Sequence, residues 1–249
     1  MKVLVIDIGE TNVKVLLSGQ KTPQVFPSGP TLTPRQMVCQ VRKIAANWNY
    51  DVVSIGYPGL VLRGQEVMQS QNLGRGWVGF DFHAAFSRQV KIINEAAMEA
   101  LGTYKGGRML FLGLGTGVES VLVVNGKLIS LKLGHLPYQK GSFDDYLGIR
   151  GIQRLGKKKW GRHVAFGVAH LIAALHAEDL VLGGANAKKL KQLPAGCRAG
   201  DNADVFLGGF RLWENVGGQK FPAHARFVPE ETEGHGYGTA HTVNFEAAH

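Results

Sequence analysis

Cysteine is nearly missing from this chain of 249 residues: Cys39 and Cys197 are the only two. Two thiols cannot build a disulfide framework, and nothing else in the composition argues for export. No run of about 18 apolar residues occurs, which excludes a membrane-spanning helix. The short apolar start, Met1-Lys2-Val3-Leu4-Val5-Ile6, is cut at once by Asp7, and no small-residue cleavage site follows. It therefore reads as a strand rather than a signal peptide, and a cytoplasmic location is the expectation. Zinc-finger spacing, an RNP-like aromatic motif and a helix-turn-helix pattern are also lacking, so nucleic-acid binding is not expected.

Acid is scarce as well. Against 28 Lys and Arg stand 19 Asp and Glu, a formal charge of +9, within a composition otherwise ordinary for a globular protein. Such a surplus attracts anions. Its clearest local source is Lys157-Lys158-Lys159-Trp160-Gly161-Arg162-His163, with Arg150 and Arg154 just before it. Two readings stay open there: a solvated face or loop, and a track for a polyanion.

What is present alternates between strand and helix signals. Val3–Ile6 and Val13–Leu17 are β-rich runs joined by a polar, Gly-containing turn, hence a hairpin. Residues 18–34 hold four prolines and read as loop. Apolar residues recur at helical spacing from Pro34 to Trp48, with Thr33 as N-cap and Pro34 at the first position. Strands follow at Val52–Ile55 and Val90–Ile93, and Asn94 opens a helix that Gly102 stops. A second hairpin joins Met109–Leu114 to Ser120–Val124 through Gly115-Thr116-Gly117, and Asn125-Gly126 turns into a strand at Lys127–Ile129. A helix from Arg162 to His176, a strand at Leu180–Leu182, Gly183-Gly184 and a helix at Ala203–Trp213 complete the pattern. Beyond Gly217-Gly218 an irregular tail is expected.

The β-turn-β unit with a Gly and a Thr in its turn thus occurs twice. Successive backbone N–H groups converge in such a turn, glycine lets an anion approach, and Thr11 or Thr116 adds a hydroxyl donor. Asp7, at the end of the first strand, can hold Mg²⁺ through water. Between the two units Glu95 follows a strand end, where catalytic groups commonly stand. The bland reading of the same residues is an N-cap, Asn94, followed by an acid that complements the helix dipole.

Taken together and in order, these pieces resemble the ROK family of sugar kinases, and among them polyphosphate glucokinases, over roughly residues 2–214. The first phosphate motif is matched by Asp7-Ile8-Gly9-Glu10-Thr11-Asn12-Val13-Lys14, and the second by Leu114-Gly115-Thr116-Gly117-Val118. Tyr57-Pro58-Gly59-Leu60-Val61 and Gln71-Asn72-Leu73-Gly74-Arg75-Gly76-Trp77-Val78-Gly79 are similar to the segment leading to the sugar. Ile93-Asn94-Glu95-Ala96-Ala97 is similar to the catalytic Asn-Asp stretch, Leu133-Gly134-His135-Leu136 to the Gly-His segment, and Leu180-Val181-Leu182-Gly183-Gly184-Ala185 to the adenosine-side turn. Asp201-Asn202-Ala203 and its helix resemble the closing element.

The resemblance implies an α/β fold of the actin-like ATPase (ribonuclease H-like) type with two domains about a cleft. The small domain would be 1–93 plus 202–214, the large one 94–201, with 215–249 a tail. It implies transfer of a phosphoryl group from polyphosphate or ATP to a hexose 6-hydroxyl, with Glu95 as base. Asn72, Asn94, His135 and Lys132 would lie at the sugar. Asp7, Gly9, Thr11, Lys14, Gly115, Thr116, Gly117, Gly183 and Gly184 would lie at the donor, with Lys157, Lys158, Lys159 and Arg162 as the polyanion track. Asp7 would organise Mg²⁺. The family's Cys-rich zinc motif is replaced by Pro137-Tyr138-Gln139-Lys140-Gly141-Ser142-Phe143, so no zinc is expected. Family members are often dimers, which implies a homodimer here.

Four positions depart from the family pattern. Glu95 stands for an Asp, Glu10 and Glu119 for turn glycines, and Lys132 for a sugar-binding Glu. The first changes reach, and a shift of about 1 Å can cost on the order of 100-fold in rate. The next two bring carboxylates toward anionic phosphate. A lysine cannot accept hydrogen bonds from sugar hydroxyls, which points either to another sugar, such as an acidic one, or to lost activity. A catalytically impaired protein that binds a sugar, nucleotide or polyphosphate is the alternative.

Overall fold

A computed structural model of the chain describes residues 1–62, 65–66, 68–70, 72–201, 203–216 and 219–220. Two five-stranded sheets dominate it, built to one plan. In the first, strands β1 (Val3–Ile8), β2 (Asn12–Leu17), β3 (Gln24–Pro27), β4 (Val52–Tyr57) and β5 (Gln89–Asn94) run in the order β3-β2-β1-β4-β5. In the second, β6 (Arg108–Leu114), β7 (Val118–Val124), β8 (Lys127–Leu131), β9 (Asp179–Gly183) and β10 (Cys197–Ala199) run in the order β8-β7-β6-β9-β10. Each sheet begins as an antiparallel meander and continues with parallel strands on its other side.

The layers follow from alternation along strands whose two faces are both covered. Leu4, Ile6 and Ile8 of β1 turn toward helices α1 (Pro34–Ile44) and α2 (Phe82–Phe86), whereas Val3 and Val5 turn toward α3 (Glu95–Thr103) and α6 (Asp204–Arg211). In β6, Met109 and Phe111 join that same central layer, while Leu110, Leu112 and Leu114 face α4 (Phe143–Leu147) and α5 (Ile149–Leu175). Helices α3 and α6 therefore form a shared layer between the two sheets. They cross closely because Gly102 and Gly208 face each other's backbone: a Cβ at Gly102 would strike the Asp204 carbonyl, and one at Gly208 the Met98 carbonyl. From α6, Arg211 Nη1 donates to the carbonyls of Leu101, Gly102 and Tyr104, satisfying the end of α3 at 2.7–3.0 Å.

Local sequence explains most boundaries. A capping box of Thr33 and Gln36, with Pro34 at the first turn, starts α1, and Arg42 and Lys43 complement its end. The helix stops at Ile44, short of Trp48. The 18–34 segment, expected as loop, contributes the edge strand β3. The largest correction concerns α5, expected from Arg162 and found from Ile149. Gly156, at φ 73° and ψ 158°, kinks it rather than preventing it, so Lys157–Arg162 is helical and not a loop. Within the tail, Gln219–Lys220 pairs with Asn215–Val216, and the rest of the expected tail lies outside the described residues, as does Asn202. No helix among the described residues is long and apolar enough to cross a membrane.

Candidate active site

The two hairpins, β1–β2 and β6–β7, bring their turns toward the start of α3. In the first, Gly9 closes the turn with its N–H on the Asn12 carbonyl at 3.0 Å. Ser28 braces it from just after β3, its backbone N–H donating to the Thr11 carbonyl at 2.9 Å and its Oγ to the Gly9 carbonyl at 2.6 Å. In the second, the Gly115 N–H meets the Gly117 carbonyl at 3.0 Å. The Gly115 carbonyl accepts from Asn186 Nδ2 at 2.8 Å and from the Ile149 N–H at 3.1 Å, so α5 starts directly against this turn. Asp144 accepts the Val118 N–H at 2.7 Å behind it.

Asp7 is 5% exposed and lies opposite Lys14 in the β1–β2 register, with Lys14 Nζ donating to its Oδ2 at 3.1 Å. Burial raises its carboxyl above the ordinary value, and the lysine's charge and hydrogen bond draw it part of the way back.

Asn94 caps α3, accepting the Ala97 N–H at 3.2 Å while its Nδ2 donates to the Gly59 carbonyl at 3.1 Å. Both ends of this side chain are thus engaged. The side chain of Glu95, next to it, makes no hydrogen bond among the described residues. Burial first, then the charges of Asp7, Glu119, Glu99 and Glu10, hold its carboxyl well above the usual range. Asp7 and Glu10 come from the first hairpin and Glu119 from the second, which places Glu95 where the two turns converge. Glu99, one helical turn on, is pushed up to about 7 by burial and by Asp7 and Asp204, although its carboxylate accepts the Gly184 N–H. The sequence reading passed over Glu99; its position four residues after Glu95, on the same helix face, was the available signal.

Glu10 points into the cleft. Its Oε1 accepts from Asn72 Nδ2 at 2.9 Å, and its two carboxylate oxygens lie 3.2 and 3.1 Å from the Thr116 hydroxyl. One side chain thereby joins the first turn, the second turn and the segment expected at the sugar. Thr11, on the same turn, is exposed.

The glycines expected on the adenosine side, Gly183 and Gly184, stand at the end of β9. Gly184, at φ 79°, lies so close to Leu114 that a Cβ would come within 2.7 Å of its carbonyl oxygen. The Gly-His segment follows β8 as a single 3-10 turn, Leu133–His135. His135 is exposed, with Nε2 4.0 Å from Asp144, and Lys132 is exposed at the start of that turn. No hydrogen bond or ion pair among the described residues joins either to Asn72 or Asn94. Lys157, Lys158, Lys159 and Arg162 project from α5 into solvent. Nearer its start, Arg150 and Arg154 line an open pocket of about 650 Å³ with Lys140, Asp145 and Tyr146.

No group of three or more His, Cys, Asp or Glu able to hold a metal ion occurs among the described residues. Asp7 offers one carboxylate. That donor set fits Mg²⁺, which keeps several waters and is commonly held by one or two carboxylates and substrate phosphates.

Two sheets of this shared topology around a common helical layer define an actin-like ATPase fold, in the form taken by ROK sugar kinases. Among solved structures it is similar to the inorganic polyphosphate/ATP-glucomannokinase from Arthrobacter sp. strain KM, at TM-score 0.69 and 20% identity over 84% of this chain and 96% of that one. A ROK family glucokinase from Streptomyces griseus, in complex with glucose and AMPPNP, gives 0.67 and 14% over 84% and 98%. A ROK family transcriptional regulator, a homolog of the E. coli MLC protein, gives 0.65 and 12% over 84% and 76%. No family profile matches the sequence, and no curated protein matches it significantly.

Proposed function

We propose that this chain is a sugar kinase that transfers a phosphoryl group from polyphosphate or ATP to the 6-hydroxyl of a hexose, with Glu95 as base. The observation that carries this reading is the place of Glu95 at the strand-to-helix junction, within electrostatic reach of acids on both hairpins. There a sugar hydroxyl held by Asn72 and Asn94 would meet a donor phosphate lying along the turns. A carboxyl raised by burial is a stronger base once its proton has left, which suits removal of a hydroxyl proton. Asp7 would hold Mg²⁺ through water, and Lys14 would keep Asp7 oriented. When bound, Mg²⁺ supplies positive charge against the moving phosphoryl group.

Polyphosphate is the favoured donor. Helix α5 begins at the Gly115 carbonyl, and Arg150, Arg154 and Lys157–Lys159 then lead away from the turn along it. A long polyanion gains from such a row of cations, and a nucleotide needs less of it. His135 and Lys132 complete the sugar side, Lys132 favouring an acidic or otherwise altered sugar.

One observation favours a second reading, binding without transfer: Glu10 already occupies the hydroxyl of Thr116 and the amide of Asn72. The fold also serves a transcriptional regulator.

The test is phosphorylation of a panel of hexoses with ATP and with polyphosphate, each with Mg²⁺. Turnover that Glu95→Gln abolishes supports the kinase. Retained folding and sugar binding without turnover for any pair leaves the binding protein.

A further inference from the structure

We propose that Glu10 is a built-in competitor for donor phosphate: a carboxylate lodged in the anion cradle between the hairpins, which weakens phosphate-donor binding while leaving room for an uncharged polyol. The inference takes its choice of ligands from the kinase reading and otherwise stands on the contacts of Glu10.

A hydroxyl has one proton to donate, and Thr116 Oγ1 lies 3.2 and 3.1 Å from the two oxygens of Glu10. The proton of that hydroxyl is therefore already directed to a carboxylate. Asn72 Nδ2, a second donor on a separate loop, meets the same carboxylate at 2.9 Å. Glu10 thus takes up the turn hydroxyl that a phosphate entering between the turns would use, and reaches on to the sugar-side Asn72, with an anionic group of similar hydrogen-bonding character.

An incoming phosphate must either displace the carboxylate or share donors with it. Displacement gives up both contacts. Sharing places like charges within hydrogen-bonding distance of one hydroxyl, which is repulsive at any reasonable dielectric. Nearby charge does not relieve it: Asp7 and Glu119, like Glu10, act on Glu95 with negative charge, and Lys14 is bonded to Asp7. A sugar is treated differently. Its hydroxyls can donate to Glu10 and accept from Asn72, so the same carboxylate that repels a polyanion can hold a polyol.

The backbone does not need Glu10. The turn is closed by the Gly9 N–H and braced by Ser28 through main-chain carbonyls, and the Glu10 side chain is exposed rather than packed. A glycine or glutamine can replace it with the hairpin kept.

Titration calorimetry of the full chain with Mg²⁺-ADP and with polyphosphate of defined length, for wild type, Glu10→Gln and Glu10→Gly, tests the idea. Glu10→Gln keeps the reach and removes the charge; Glu10→Gly removes both. Both variants should bind at least one of the two probes about tenfold tighter than wild type or better, with glycine at least equal to glutamine. Should Glu10→Gly fail to fold, Glu10→Gln decides alone. Unchanged or weaker binding of both probes, or no binding by any form, overturns the proposal. A phosphorylation assay on the same variants separates it from the kinase reading. Tighter donor binding without turnover keeps the competitor and removes the kinase. Turnover with donor affinity unchanged does the reverse.

Discussion

At the hairpin of the first sheet the register pairs Asp7 with Lys14, whereas near the end of the second hairpin it pairs Gly113 with Glu119. The backbones are alike: two antiparallel strands, a tight turn, and a neighbour that braces a turn carbonyl. The charges are not. The first hairpin buries its acid against a lysine and sends a further acid, Glu10, across the cleft. The second leaves Glu119 exposed, its charge felt at Glu95, and offers Thr116 to the opposing carboxylate. The topology was therefore duplicated without duplicating the electrostatics. Fold is set by the alternation of buried residues on both sheets, which these changes leave untouched, and donor affinity by the few side chains at the turns.

The most damaging way to break the comparison is to strike the layer that both sheets share. In Gly208→Ala the new methyl would meet the Met98 carbonyl oxygen, and would lie 2.8 Å from its carbon and 3.0 Å from the Gly102 nitrogen. Backbone cannot swing aside as a flexible side chain can. A loss of about 3 kcal/mol or more is expected, with both halves unfolding together in urea by fluorescence and circular dichroism. A loss below about 1 kcal/mol would mean that α3 and α6 slide freely past each other.

A second effect belongs to α3 alone and depends on pH. The Glu99 carboxyl is raised from 4.5 to about 7, so the native state keeps its proton to higher pH than the unfolded chain. The contribution is therefore lost as pH climbs from about 4.5 to about 7, and wild type is the less stable above that range. Glu99→Gln keeps the acceptor for the Gly184 N–H and removes the ionisation. At pH 8 it should be more stable than wild type by about 2 kcal/mol, the difference vanishing below pH 4.5, in melts across pH. An equal difference at both pH values would tie the effect to packing instead.

Much of this was legible beforehand, and the reasons are specific. Apart from the edge strands β3 and β10, the strands of both sheets announced themselves through continuous apolar runs, and the Thr33-Pro34 start of α1 through its capping chemistry. Both hairpin turns and the Asn94-Glu95 junction could be placed from Gly, Thr and Asn alone. The start of α5 could not, because Gly148, Gly151 and Gly156 lower helix propensity where packing of Trp160, Val164 and Val168 restores it. Nor could the bonds of Glu10. That residue could be flagged as a misplaced charge, but Asn72 and Thr116 lie 62 and 106 positions away, and only the folded cleft shows that they meet.

The braces behind the two turns allow the finest comparison. Asn186 is 4% exposed and holds four hydrogen bonds: Nδ2 to the Gly115 carbonyl at 2.8 Å, Oδ1 from Lys189 Nζ at 2.6 Å, its backbone N–H to the Leu114 carbonyl at 2.9 Å, and its carbonyl from the Lys189 N–H at 2.9 Å. Asn186→Ala removes the first two, and the Ile149 N–H at 3.1 Å still serves Gly115. A loss of about 1–2 kcal/mol is expected, since two hydrogen bonds of a buried amide are removed together with its packing. Ser28 is partly exposed, so water can replace its Oγ at the Gly9 carbonyl, and Ser28→Ala should cost only about 0.5–1 kcal/mol. Hydrogen exchange of the Gly9 and Gly115 amides, measured on both variants, localises each effect. Loosening confined to the turn whose brace was cut is the expected outcome. If either substitution loosens both turns equally, the contact through Glu10 couples them more strongly than their own supports do.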